Sequence, residues 1–291
     1  MNPWILAIRP KTLPASIAPV MIGSAMAYGD GGFYAPAAAA CLVAALLIQI
    51  GTNLANDYFD FKKGADLNRV GPTRVTQAGL VKPQRVLQAA IIIFILAAVA
   101  SGYLVYRGGW TIAIIAVASI ISGILYTAGK KPLGYLGLGE LFVFVFFGPV
   151  AVGGTYYVQT LDLNWAVTLA GLAPGFLSCA ILAVNNLRDV EGDGKAGKMT
   201  LAVRFGKDFA KSEYLFFILA ATLTPFLVLL VTLDHIGMTA ASIVGFLAIG
   251  TIQTVMTNPE ANALNSALAS TGRWLILYGI IFSIGWIVCS H

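Results

Sequence analysis

Repeated apolar runs, each long enough to cross a bilayer, constrain this chain more than any other feature. A helix needs about 20 apolar residues to span the hydrocarbon core. The sequence offers nine such stretches, at about 13–29, 36–56, 86–106, 109–127, 138–158, 165–186, 213–232, 237–256 and 272–289. With 58% of residues hydrophobic, 11% charged and a mean hydropathy of +0.82, a soluble globular domain is excluded. The expected fold is an all-α polytopic membrane protein, one membrane domain over residues 1–291. Arg9, Pro10 and Lys11 precede the first span and no compact cleavage site follows, so this segment is read as retained, not as a signal peptide.

Charge then orients the spans. Basic residues lie before the first span (Arg9, Lys11), after the second (Lys62 to Arg85), after the fourth (Lys130, Lys131), after the sixth (Arg188 to Lys211) and after the eighth (Arg273). The other side carries Arg107 and the acids Asp30, Asp162 and Asp234. By the positive-inside rule the N-terminus and the long basic loops, 57–85 and 187–212, face the cytoplasm and His291 lies outside, which suits a cytoplasmic (inner) membrane. The net charge of +5 is accounted for in this way and needs no nucleic acid partner. Cys41, Cys179 and Cys289 stand singly in apolar runs and read as small core residues.

Two acidic clusters sit where a cytoplasmic loop leaves a span. In the first, Asn53-Leu54-Ala55-Asn56-Asp57-Tyr58-Phe59-Asp60, closed by Asp66, Asn56 and Asp60 share a helical face and Asp57 sits on its flank. In the second, Asn185, Asp189 and Asp193 fall at i, i+4 and i+8. Four spans separate the clusters, so 53–66 and 185–193 reach the same side, as a parallel pseudo-repeat requires. Acids at a helix C-terminus oppose the macrodipole at about 0.3 to 1 kcal/mol each. Doing so twice, with an Asn four residues before the Asp each time, points to a ligand.

Carboxylate and amide oxygens without His or Cys suit Mg²⁺, which completes its shell with water and substrate phosphates. Two facing clusters can hold such ions astride one diphosphate and ease the breaking of an allylic C–O bond. A polyprenyl diphosphate fits, because its tail is a lipid. Arg69, Arg74, Lys130, Lys131 and Lys198 are the candidate phosphate contacts, each equally readable as topogenic charge. Tyr126, Tyr156 and Tyr157 can face an allylic cation or simply pack. Glu140, at the start of the fifth span, is an ionisable group near the membrane; it can orient an acceptor or pair with Lys131. Residues 258–271 read as a polar connection, either a cover for a cavity or a linker.

The segments Arg9 to Ser16, Asn53 to Asp66 with Gly71 to Arg74, Leu125 to Thr127 with Pro132 to Glu140, and Asn185 to Arg204 resemble the UbiA superfamily of intramembrane aromatic prenyltransferases, most closely its 1,4-dihydroxy-2-naphthoate branch. The resemblance implies nine transmembrane helices around a central cavity under a cytoplasmic cap of two long loops. It also implies transfer of a polyprenyl group from polyprenyl diphosphate to 1,4-dihydroxy-2-naphthoate, with decarboxylation to demethylmenaquinone. Metal and diphosphate roles carry over onto Asn56, Asp60, Asp66, Asn185, Asp189 and Asp193, with Asp57 matching the superfamily's Asn-Asp pair. Asp60, Asp189, Tyr126 and Glu140 are the expected catalytic residues. Where the superfamily often has an acid four residues after the second Asp of the first motif, this chain has Gly64 and reaches Asp66, as in the naphthoate branch. Other acceptors, 4-hydroxybenzoate or homogentisate, stay open. So does a secondary transporter, which would place its charges at mid-span.

Overall fold

The computed structural model describes residues 2–65 and 71–289. Every regular element among them is helical: α1 Pro3–Ile8, α2 Pro14–Gly29, α3 Ala35–Lys62, α4 Pro83–Leu125, α5 Gly139–Phe147, α6 Pro149–Thr160, α7 Trp165–Ala170, α8 Leu172–Lys195, α9 Leu201–Phe205, α10 Lys207–Thr232, α11 Ile243–Leu247, α12 Ile249–Thr257 and α13 Ala261–Val288, with short 3₁₀ turns between some of them. Proline opens α1, α2, α3, α4 and α6, where its missing N–H loses no helical bond and its φ is already set.

α4 is 43 residues long. Straight, it would extend about 65 Å, roughly twice the hydrocarbon thickness. Gly109, at φ 68° and ψ −153°, breaks it in a conformation that suits glycine. The chain folds back there: Ile120 and Ile124 of the second half pack against the core cluster that holds Val86, Ala90 and Phe94 of the first, and a Cβ on Gly123 would lie 3.7 Å from the Phe94 ring.

By length and composition the described residues hold seven helices able to cross a membrane, or eight when the pair Pro3–Thr12 and Pro14–Gly29, bent by 50°, counts as one. The expected nine are therefore not reproduced one for one. What remains of the difference is α4, which is two helices joined across the kink at Gly109.

The acidic clusters also lie deeper in helices than the loop boundaries at 57 and 187 suggest, since α3 runs to Lys62 and α8 to Lys195. Likewise most of 258–271 belongs to α13.

α8 is the centre of the bundle, packed against α2, α5, α10 and α13. Its small residues Ala173, Ala180 and Ala183 are fully buried, which lets neighbouring helices approach closely. The outward rows are greasy: Ile92, Ile95 and Val99 on α4, Phe216, Leu223 and Leu230 on α10 are exposed, as a lipid-facing surface should be. Cys41 and Cys179 are buried and all three thiols are free.

The end of the bundle away from the acidic motifs is closed by polar pairs. Tyr156 donates its hydroxyl to Asp30 at 2.6 Å. Arg107 stacks 4.0 Å from the Tyr34 ring centroid and donates to the carbonyls of Val158 and Gln159.

Candidate active site

The last two turns of α3 divide the first motif's side chains by direction. Asn53 Nδ2 donates to the Ile8 carbonyl at 2.9 Å and to Thr12 Oγ1 at 3.1 Å, tying α3 to the N-terminal segment. Asn56 Oδ1 accepts from Thr127 Oγ1 at 2.8 Å. Asp60, one turn on, accepts from Tyr135 Oη at 3.0 Å and from Arg74 at 3.1 Å. Asp57 points elsewhere. Its two oxygens accept from the backbone N–H groups of Val75 and Thr76, at 3.1 and 3.0 Å, and it is 1% exposed. It therefore pins the returning loop against α3.

The second motif occupies the last turns of α8. Arg188 makes a two-point contact with Asp189 (2.8 and 2.6 Å), donates to Asn185 at 2.8 Å and reaches Asn265 on α13 at 2.7 Å. Such forked, charge-assisted bonds fix both partners in orientation. Lys198 Nζ lies 3.1 Å from Asp193 Oδ2. Glu191 faces outward to Lys207 at 2.7 Å.

The two motifs meet at Lys198. Burial works against its charge, but the carboxylates of Asp193, Asp60 and Asp189 outweigh it and hold the pKa above the ordinary lysine value. Asp60 comes from α3 and the other two from α8. Lys63 shows the opposite balance: burial lowers its pKa, with Asp60 pulling back. Its Nζ donates to the Thr127 carbonyl at 2.6 Å and lies 4.6 Å from the Tyr135 ring centroid.

A cavity of about 180 Å³ opens beside these residues, with Arg9, Asn56, Asp60, Arg74, Glu140, Asn185 and Lys198 in its walls. Glu140 is buried, and its Oε1 accepts from Asn186 at 2.8 Å. A second cavity of similar volume is almost wholly apolar, lined by Ile48, Leu104, Ile115, Phe142 and Phe146 among others. Gln49, Tyr126, Val143 and Phe147 line both, so the polar chamber passes directly into the greasy one. Tyr126 stands at that junction. Gly139 makes room for it: a Cβ there would lie 2.8 Å from Tyr126 Oη.

Among the expected site residues, Asn56, Asp60, Asn185, Arg74, Lys198, Tyr126 and Glu140 share the polar cavity, while Asp189 and Asp193 are ion-paired around it. Lys130 and Lys131 are exposed and line neither cavity. The turn at Gly129, φ 85°, carries them past the chamber. Glu140 consequently pairs with Asn186 and not with Lys131. Tyr156 belongs to the opposite end, with Asp30. Asp66 and Arg69 lie outside the described residues. Sequence reasoning missed Thr127, Tyr135, Asn186 and Arg188. Only Arg188 left a trace, three residues from Asn185 and so on the motif's own face.

No three His, Cys, Asp or Glu side chains among the described residues form a ready-made cation cage. Mg²⁺ commonly takes only one or two carboxylates, with water and phosphate oxygens completing the octahedron. The all-oxygen donors at the ends of α3 and α8 fit that requirement.

The chain matches the model of the UbiA prenyltransferase family over residues 16–276. It is 40% identical over 280 residues to a 1,4-dihydroxy-2-naphthoate octaprenyltransferase of Mycobacterium tuberculosis, covering 95% of this chain and 94% of that one. It is 35% identical over 289 residues to the Escherichia coli protein of the same name, covering 97% and 94%. Among solved structures, a UbiA homolog from Archaeoglobus fulgidus bound to DMAPP and Mg²⁺ superposes with a TM-score of 0.61 at 15% identity, over 97% of this chain and 99% of that one. A digeranylgeranylglyceryl phosphate synthase superposes at 0.62 and 19% identity, over 98% of both chains. A multi-pass membrane bundle whose two acidic helix ends converge on one lysine thus has its relatives: the chain is a prenyltransferase and belongs to the UbiA family.

Proposed function

We propose that this prenyltransferase moves a polyprenyl group from polyprenyl diphosphate to 1,4-dihydroxy-2-naphthoate, with loss of CO2, to give the prenylated naphthohydroquinone, the reduced form of demethylmenaquinone. The observation that carries the proposal is one polar chamber that gathers Asn56 and Asp60 of the first motif with Asn185 of the second and the cations Arg74 and Lys198, and that continues into an apolar one. The names of the relatives at 35 to 40% identity support the choice of acceptor.

In this reading Lys198 and Arg74 grip the diphosphate, and the prenyl chain lies in the apolar cavity. Asn56, Asp60, Asp66, Asn185, Asp189 and Asp193 would hold Mg²⁺. Bound there, the metal would supply positive charge to offset that of the leaving diphosphate. The allylic C–O bond then breaks with its electron pair going to diphosphate, and the Tyr126 ring face stabilises the cation that remains. The acceptor ring attacks through its carboxyl-bearing carbon; that C–C bond to the carboxylate then breaks, CO2 departs and its electron pair restores the aromatic ring. The acceptor's own hydroxyls activate it, so the chain needs no strong base. The acids lie at helix ends and not at mid-span, unlike the charges of a secondary transporter.

In this reading the chamber opens on the cytoplasmic side of the cytoplasmic membrane, with the N-terminus inside and the C-terminus outside, which the positive charge of the long loops supports. Motifs 53–66 and 185–193 are then equivalent halves of a pseudo-repeat in one membrane domain.

The test is incubation of purified protein and Mg²⁺ with a labelled prenyl diphosphate and a panel of aromatic acids, with product mass as readout. Prenylated naphthohydroquinone without its carboxyl group is expected. A product that keeps the carboxyl group, or transfer only to 4-hydroxybenzoate or homogentisate, overturns the assignment.

A further inference from the structure

The diphosphate and the metal account for the mouth of the polar cavity but not for its inner wall. Ser178 lies two turns below Asn186 on α8, and Ser178, Leu182 and Asn186 fall at i, i+4 and i+8 along one face, all three lining the cavity. Ser178 is 3% exposed, and its Oγ has no hydrogen-bond partner among the described residues. A helical hydroxyl ordinarily has an easy solution, the carbonyl four residues back. Ser119, Thr222 and Thr271 take it; Ser178 does not. An unmet buried hydroxyl costs about 1 to 3 kcal/mol, so a hydroxyl left this way beside a cavity is placed for a ligand.

At the upper level, Glu140 on α5 accepts from Asn186 Nδ2, which directs a buried carboxylate and an amide at the same cavity. Between the two levels the wall is apolar: Ile181, Leu182, Val143 and Phe147. Acceptor groups stand above, a hydroxyl stands below and a flat greasy strip joins them. The separation, eight residues or about 12 Å along the helix, suits an aromatic ring with a hydroxyl at each end and a hydrogen bond to each.

We infer that Glu140 with Asn186, and Ser178 two turns away, form a subsite that recognises the two para hydroxyls of a dihydroxy aromatic acceptor. Glu140 accepts from one hydroxyl, Ser178 bonds the other, and Leu182 and Phe147 hold the ring between them. The inference rests on the reading of this chamber as the site of prenyl transfer to an aromatic acceptor, and it adds what the acceptor must carry. An acid with a single hydroxyl leaves one level unmet, so the subsite favours para-dihydroxy arenes as a class.

Binding of 1,4-dihydroxy-2-naphthoate, 1-hydroxy-2-naphthoate and 4-hydroxy-2-naphthoate to the full chain in detergent, followed by titration calorimetry, tests this. Ser178→Ala should weaken the dihydroxy compound about tenfold, the factor given by about 1.4 kcal/mol. One of the two monohydroxy compounds should bind wild type and Ser178→Ala alike, and Ser178→Thr should restore the dihydroxy affinity. Equal binding of the dihydroxy compound to wild type and Ser178→Ala overturns the inference, as does an equal loss for all three compounds. Turnover is read separately. If the wild type transfers its prenyl group only to a different para-dihydroxy acid, the naphthoate assignment falls and the subsite stands; if the naphthoate is the acceptor but Ser178→Ala binds it normally, the reverse holds.

Discussion

Tyr135 donates its hydroxyl to Asp60 at 3.0 Å, so the connection between α4 and α5 holds the first acidic motif from outside its own helix. The same residue's carbonyl accepts from Met199 N at 3.1 Å, next to Lys198. One short segment therefore fastens both halves of the site.

Removing only that hydroxyl, in Tyr135→Phe, should lower kcat about ten- to a hundredfold, the range of one hydrogen bond to a charged group at about 1.5 to 3 kcal/mol, and raise the Mg²⁺ concentration needed for half-maximal rate. Initial rates over a Mg²⁺ titration will show it. An unchanged Mg²⁺ dependence would mean that Tyr135 does not position Asp60.

Asp57 and Asp60 are three residues apart and should fail in opposite ways. Asp60→Asn is expected to reduce turnover at least a hundredfold while the melting temperature moves by a few degrees at most, since volume and burial are kept. Asp57→Ala strips the buried N–H groups of Val75 and Thr76 of their acceptor, at about 1 to 3 kcal/mol each, and should melt markedly earlier. Thermal unfolding beside a prenyl-transfer assay separates the two.

Lys198 gives a pH signature. Its pKa is raised in the folded protein, so its contribution to stability is fully present below the unfolded lysine value of about 10.4 and fades as pH climbs through the higher folded value. From about pH 6 to about pH 9 the melting difference between wild type and Lys198→Met should therefore stay constant, and shrink only in stronger alkali. The variant should also show a raised KM for prenyl diphosphate, which Lys198→Arg largely recovers.

Gly139→Ala should displace the Tyr126 ring, because the new methyl would sit 2.8 Å from its hydroxyl oxygen. The expected result is a kcat about tenfold lower, taking about 1.4 kcal/mol as the loss of ring-face stabilisation. Adding Tyr126→Phe, which removes the clashing atom and keeps the ring, should recover most of it. Failure of the double variant to recover would place the function of Tyr126 in its hydroxyl.

Much of this was legible in the residues. Apolar runs marked the helices, and the Asn-to-Asp spacing of four marked the two helix ends that meet. Direction around the helix was harder: Asp57 directly follows Asn56 in the sequence, but about 100° of helical rotation per residue turns it off the face that Asn56 and Asp60 share and toward the backbone of Val75 and Thr76. Proximity in sequence also misplaced Lys130 and Lys131, because a turn and not a helix face decides where they point. The polar start of α13 reads as a linker, yet Asn265 is there to receive Arg188. Tyr135 and Thr127 lie in connections, which have no periodicity to betray an inward side chain.

The reversal at Gly109 carries a consequence of parity. Each crossing of a membrane exchanges near side for far, so the number of crossings between two points decides whether they ever share a compartment. Were α4 to run on as one rod, every later helix would enter from the other leaflet, and Asp189 and Asp193 would face a different aqueous phase from Asp60. The encounter of those three carboxylates around one lysine depends on a single backbone torsion of opposite sign, some 80 residues away in the chain from Asp189.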